Sequence, residues 1–412
     1  MIEASPHDAG TAYLAATRYR LDDFRPMLFK TADYGKTWTA IVRGLAADDL
    51  TRCVREDPAR AGLLYCGTET GARVSFDGGG RWETMGGNLP VVPIHDLVVK
   101  DADLVVATHG RAFWILDDLS PLRRRAAAVE RAAVHLFAPC PTVRYKTDLG
   151  FPQPDTAMKT YRMPGATMVT TRRVERPDTG EKVPVHLDAG KNPPDGVIVH
   201  YWLRERPAGT VALSFHDARG REIKRFTSKP DDPAAAKSEE TAKKTAEKTA
   251  AMTAEKAAAK AAETTKDARV PKEAGLNRFV WNMRHPDALK FEGPGLYEGL
   301  DRLFTGPVAA PGTYRVRLHV GRETREVACL IVKDPRVVAA TQADLDAQQT
   351  LALAIRDTLS TAHRTITAAH RLREQVEALA KHAGPGRVAS AARPLARRLA
   401  GVQEALVQVK AK

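Results

Sequence analysis

The chain has 412 residues, a hydrophobic content of 43% and a formal charge of +13, enough for two to four domains with real cores. The charge is uneven: residues 1–120 carry 13 Lys/Arg against 17 Asp/Glu and residues 341–412 carry 11 against 6, so the excess sits in the irregular middle and not on one folded face, which argues against nucleic-acid binding. No apolar run is long enough to span a membrane, and the opening "MIEASPHDAGTAYLAATRYR" lacks the basic-then-apolar order of a secretory leader.

Three segments align in chain order: "SPHDAGTAYLAATRYRLDDFRPMLFKTADYGKTW", "DPARAGLLYCGTETGARVSFDGGGRW" and "DADLVVATHGRAFWILDD". Each runs turn, short apolar strand, loop, second strand. The first two add a Ser/Thr-x-Asp-x-Gly-x-x-Trp turn, at 31–38 and 75–82, 44 positions apart. A period near 44 with about four short strands fits a β-propeller blade. Within the turn every residue type has a structural task. Asp33 and Asp77 accept bonds from amides a few residues on. Gly35 and Gly79 supply positive φ. Trp38 and Trp82 restart the strand and pack over the turn, and Thr31 and Ser75 bond locally. These eight residues are therefore read as structural, not catalytic. About 120 residues hold two full blades and part of a third, whereas propellers close with four to eight. Open sheet edges and an exposed apolar flank are expected. The chain is then read as a fragment, a truncated reading frame, or a subunit whose partner chain supplies the missing blades.

After a basic connector, "LRRRAAAVERAA", come strand-like runs at 197–203, 210–215, 222–226, 277–283, 312–320 and 324–332. Alternation in "TYRVRLHV" puts Tyr314, Val316, Leu318 and Val320 on one face. These spacings predict an Ig-like or fibronectin-like β-sandwich, with Trp202 and Trp281 in its core. Residues 229–272, rich in Ala, Lys, Glu and Thr, cannot bury enough apolar surface to fold and are read as a loop insertion. Near the C-terminus "TQAD" at 341–344 resembles a capping box. Apolar residues then recur every seven positions: Leu345, Ala352, Leu359, Ile366 and Ile355, Ala362, Ala369, Val376. After the "HAGPGR" turn come Val388, Leu395, Val402, Val409 and Ala392, Leu399, Leu406. A helical hairpin packed along these rows is predicted, with Pro394 in its second helix or that helix's first turn. The expected fold is mainly β: a partial propeller of about 2.5–3 blades over 1–122, a sandwich over 123–228 and 273–335, and the helical hairpin over 336–412.

Cys53, Cys66, Cys140 and Cys329 have no metal-ligand spacing, and no metal or cofactor is expected. Cys53 and Cys66 fit either one disulfide between neighbouring strands or two small buried thiols.

The two turns resemble the Asp-box (BNR) repeats of sialidase-like and sortilin-like propellers. "RYRLDDFRP", "DYGKTWT", "ATHGRAFWILDDLSPLR" and "NRFVWNMRHP" resemble the C-terminal part of long bacterial BNR-repeat or sortilin-N-type "glycosyl hydrolase" proteins. The resemblance implies that the boxes lie between third and fourth strands, away from the ligand face, and that the protein is exported to the periplasm or beyond. The ligand end then carries the loops 18–25, 69–71 and 109–111 and the connections 43–50 and 86–93, with Arg20, Asp22, Asp23, Glu69, His109 and Arg111 as exposed candidates. Asp22 or Asp23 with Glu69 is the one carboxylate pair that fits a glycosidase. Arg20, His109 and Arg111 are candidate ligand contacts, and Arg111 fits a carboxylate. The full arginine set of sialidases is missing. The expected function is binding of a glycan or polypeptide. Glycoside hydrolysis is the alternative, and a non-functional remnant the third reading.

Overall fold

The computed structural model describes residues 1–145, 160–162, 169–175, 182–186, 193–228, 268–290 and 304–406. The chain is mainly β with a C-terminal helical pair. It divides into two compact units, Met1–Glu130 and Arg131–Lys412.

The first unit holds three antiparallel meanders. The first sheet is β1 (Ile2–Ala4), β2 (Ala12–Arg18), β3 (Asp23–Thr31) and β4 (Thr39–Ala40), in that order. The second is β5 (Thr51–Glu56), β6 (Leu64–Thr68), β7 (Ala72–Ser75) and β8 (Glu83–Thr84). The third is β9 (Ile94–Lys100), β10 (Asp103–Thr108) and β11 (Phe113–Leu116). Alternation along the strands decides which sheets meet. Tyr13, Ala15 and Leu28 of the first sheet share a core with Val54, Leu64, Cys66 and Trp82. The opposite face of the second sheet, through Cys53, Tyr65 and Val74, packs with Ile94, Leu97, Leu104 and Val106 of the third. The middle sheet is thus covered on both sides, and every residue of β6 is buried. Cys53 and Cys66 point to opposite faces and are free thiols, which rules out a disulfide between them. At Gly67 a Cβ would lie 2.5 Å from Sγ of its cross-strand partner Cys53 and 2.8 Å from the Ile94 carbonyl of the third sheet, so no side chain fits between the two sheets there.

Polar ties cross the same sheets. Arg55 reaches Glu3 at 3.1 Å, Asp96 at 2.9 Å and the Leu97 carbonyl at 2.9 Å, so one guanidinium joins the first strands of all three sheets. The basic segment expected as a connector contains two short helices, α1 (Ser120–Arg124) and α2 (Ala127–Arg131). Arg123 Nε lies 3.0 Å from both oxygens of fully buried Asp57, which also accepts the Tyr65 hydroxyl at 2.9 Å. An ion pair this deep stabilises only with its hydrogen bonds complete, and here two amides, those of Ala59 and Arg60, add to the set.

The second unit pairs two sheets over one core. β12 (Val134–Leu136), β17 (Val197–Leu203) and β20 (Gly275–Trp281) form one. β13 (Thr142–Arg144), β22 (Glu323–Lys333), β21 (Gly312–Val320), β18 (Val211–His216) and β19 (Glu222–Thr227) form the other, in that order, with β13 parallel to β22. Val199, Tyr201, Phe279 and Trp281 face Leu213, Phe215, Val316 and Leu318. Trp281 is fully buried, whereas Trp202, next to core residue Tyr201, is half-buried on the other side of its strand. That corrects its expected core position. A third antiparallel sheet comprises β14 (Thr160–Arg162), β15 (Val169–Glu175) and β16 (Lys182–His186), with no counterpart among the predicted runs. Residues 229–267 of the expected insertion lie outside the described residues. Its last part packs on the sheets: Val270 is buried in the core, and the Pro271 carbonyl accepts the Tyr201 hydroxyl.

The helical pair is α3 (Gln342–Ala383) and α4 (Arg387–Leu406). α3 opens on a capping box in which Thr341 and Asp344 bond each other's amides. Ser360, His363, Ile366 and Ala369 are its buried residues. Ile355 is exposed at the start of a row whose Ala369 is buried, whereas Val388, Leu395 and Val402 are all exposed, so their row does not pack as predicted. Val409 lies outside the described residues, and Pro394 is inside α4. No helix among the described residues is long and apolar enough to cross a membrane.

Candidate functional site

The two Asp/Gly/Trp turns bond themselves shut. Thr31 Oγ1 donates to Asp33 at 2.8 Å and accepts the Gly35 amide at 2.9 Å; Asp33 accepts the Thr37 amide at 2.9 Å and its hydroxyl at 2.6 Å. Ser75 Oγ donates to Asp77 at 2.8 Å and accepts the Gly79 amide at 3.0 Å, and Asp77 accepts the Arg81 amide at 2.9 Å. Gly35 and Gly79 have φ of 83° and 94°. Both carboxylates are spent on local donors and sit at the turns between β3 and β4 and between β7 and β8.

The opposite strand ends carry the loops 19–22, 69–71 and 109–112. Tyr19 begins a single 3-10 turn, Tyr19–Leu21, closed by Asp22 in the left-handed region (φ 59°). Two guanidinium groups lie over the exposed Tyr19 ring, Arg20 at 5.9 Å and Arg52 at 5.8 Å from its centroid, within cation–π range. Arg52, on β5, pairs with Glu69 at 2.6 Å. His109 stacks on His95 with ring centroids 4.6 Å apart and 18° between planes. His95 is held below the usual histidine range by burial, by the Arg52 charge and by His109, against the pull of Glu69. A row of aromatic and charged groups therefore runs across all three sheets.

This row takes in three of the predicted residues, Arg20, Glu69 and His109, and leaves out three. Asp23 is gripped at 2.9 Å by both Nε and Nη2 of Arg25, with Arg18 at 3.6 Å. Those hydrogen bonds from Arg25 hold its carboxyl at about 2. Asp22 serves the turn through its backbone, and Arg111 is an exposed loop residue whose carbonyl accepts the Trp114 indole at 3.0 Å. Sequence reasoning missed Tyr19, Arg52 and His95. Each lies within a few residues of a loop already singled out, which was the available signal. It also missed the buried Asp49, which accepts the Thr70 amide and hydroxyl and pairs with Arg73 at 2.6 Å, tying the 43–50 loop to the 69–71 loop. No group of three or more metal-ligating His, Cys, Asp or Glu occurs among the described residues.

No protein-family model and no curated protein matches the chain. Among solved structures it is similar to "YCF48 bound to D1 peptide" (13% identity, TM-score 0.22, covering 28% of this chain and 34% of that one). It is also similar to the GH74 xyloglucanase from Xanthomonas campestris (12%, TM-score 0.24, 55% and 28%) and to Niastella koreensis GH74 (14%, TM-score 0.24, 56% and 30%). In each case the match spans about a third or less of the neighbour's own length. At these scores the likeness carries no argument about the site, which rests on its own geometry.

Proposed function

We propose that the first unit is a set of blades from an exported Asp-box propeller protein and that the loop row binds a glycan or polypeptide. The observation that carries this reading is the exposed Tyr19 ring flanked by Arg20 and Arg52, with Glu69, His95 and His109 continuing the row onto the next two sheets. An aromatic ring beside two cations, of which Arg52 is held by Glu69, supplies stacking and hydrogen-bond donors together, the combination that sugar rings and peptide side chains both use. The paired two-sheet layer of the second unit is read as an Ig-like accessory module.

Binding is favoured over glycoside hydrolysis on chemical grounds. A glycosidase needs one carboxyl able to hold a proton near neutral pH opposite a second, ionised one. Asp23 at about 2 holds no proton there, and Glu69 already serves Arg52. The test is a glycan array and a peptide array probed with the whole chain, followed by calorimetry on the hits. Tyr19→Ala and Arg52→Ala are each expected to weaken binding about tenfold or more, the loss of roughly 1.4 kcal/mol; Asp23→Asn should not. A hit unaffected by both variants removes the site. Reducing-sugar release from xyloglucan that disappears in Glu69→Gln would replace binding by hydrolysis.

A further inference from the structure

We infer that the two outer sheet faces of the first unit dock on each other between two copies of this chain, the outer face of β9–β11 of one copy covering the outer face of β1–β4 of the other. The inference rests on the blade reading and names the occupant that reading leaves open.

The chain contains two worked examples of the contact. In register, Tyr13 of the first sheet corresponds to Tyr65 of the second, each paired one position along from the residue opposite Thr31 or Ser75. Both tyrosines face the following sheet. Leu14 corresponds to Cys66, which faces the preceding sheet, so Leu14, with Ala16, Met27 and Phe29 beside it, lies on the side away from the second sheet, where these four are half-buried and Ile2, paired with Leu14, is 68% exposed. At the other end Val98, Val105 and Ile115 form one cross-strand line facing away from the second sheet. Val98 is 51% exposed, Ile115 58% and neighbouring Phe113 75%. One end of the array thus offers the kind of face that follows a blade and the other the kind that precedes one, both apolar.

The tryptophans point the same way. Trp82 is 2% exposed because the segment after β4 crosses it: the Ile41 carbonyl accepts its indole N–H at 2.7 Å and the Arg43 carbonyl its amide at 2.9 Å. Trp38, the same position 44 residues earlier, is 40% exposed. The contact is heterologous, and such contacts stop growing only when the rotation closes. Two copies contribute six sheets, within the four to eight at which propellers close.

The experiment is light scattering after gel filtration on the whole chain, with hydroxyl-radical footprinting of the same samples. The expected result is twice the 45.0 kDa chain mass, with Trp38, Phe113 and Ile115 protected. Ile115→Asp and, independently, Val98→Lys should give monomers with Trp38 reactive and Trp82 still protected. A wild-type monomer with Trp38 reactive overturns the inference, as does a dimer that survives both variants. If Trp82 proves as reactive as Trp38 in the wild type, the blade reading itself fails.

Discussion

The turns at 31–38 and 75–82 share their key residues and their local bonds, yet Trp82 is buried and Trp38 lies 40% exposed. The difference is not in the turns. It comes from what crosses them: Ile41–Leu45, arriving from the first sheet, lies on the second turn. A local motif therefore fixes its own hairpin, while the value of its aromatic residue is set by the neighbouring repeat. Repeat architectures work in this way, with stability divided between each unit and its nearest-neighbour contacts.

Removing each indole should break the symmetry most clearly. Trp82→Ala deletes a fully buried aromatic side chain and its hydrogen bond, and about 3–5 kcal/mol of stability is expected to go with it. Trp38→Ala, measured on dilute protein so that no second copy covers it, should cost about 1 kcal/mol or less. Urea midpoints of the two variants decide the matter. Equal losses would mean that neighbouring sheets add nothing to the turn.

The glycines sharpen the same contrast at smaller scale. Alanine at either position forces an L-residue into the left-handed region, at about 1–2 kcal/mol. At Gly79 the new Cβ would also lie 2.6 Å from Ile41 Cδ1 and 3.1 Å from its Cβ, whereas at Gly35 the nearest atom is Trp38 Cζ2 at 3.9 Å. Gly79→Ala should therefore destabilise by about 1 kcal/mol more than Gly35→Ala, the added penalty of an overpacked contact.

The same division explains what could be read from the sequence. Six strands, two turns and a capping box were legible because each is written within ten or so consecutive residues: alternation in "TYRVRLHV", the Thr31–Asp33–Gly35 spacing, Thr341 with Asp344. The row at the loop end was half legible. Arg20, Glu69 and His109 stood in recognisable loops, but Arg52 and His95 lie on strands; Arg52 meets Tyr19 across two sheets, and His95 meets His109 from a neighbouring strand of the third sheet. Asp23 looked like a candidate acid until Arg25, two residues on, proved to hold it at about 2. Val388, Leu395 and Val402 show the converse error. Their seven-residue spacing is real, but periodicity gives a face and not a direction, and theirs is exposed. β14–β16 fall among charged residues and prolines, where backbone pairing needs no apolar alternation to announce it.

The smallest effect is the most specific test of what the aspartates do. Asp33 is held below its ordinary value of 3.8, first by the Thr37 hydroxyl, then by the Thr37 amide and Thr31 hydroxyl. Burial works to raise Asp77, but the Arg81 amide and Ser75 hydroxyl outweigh it and the net shift is again downward. Both groups bind a proton less readily folded than unfolded, so their contribution is complete above pH 3.8 and is lost as pH falls through the lower folded values. Carboxyl carbon NMR should therefore give both midpoints below 3.8. Thr37→Val should raise that of Asp33 and leave Asp77 alone; Ser75→Ala should do the reverse. A carboxylate acting as general acid would instead need to hold a proton near neutral pH. Either midpoint rising toward neutrality, or failing to move when its hydroxyl partner is removed, would return that aspartate to the list of candidate acids.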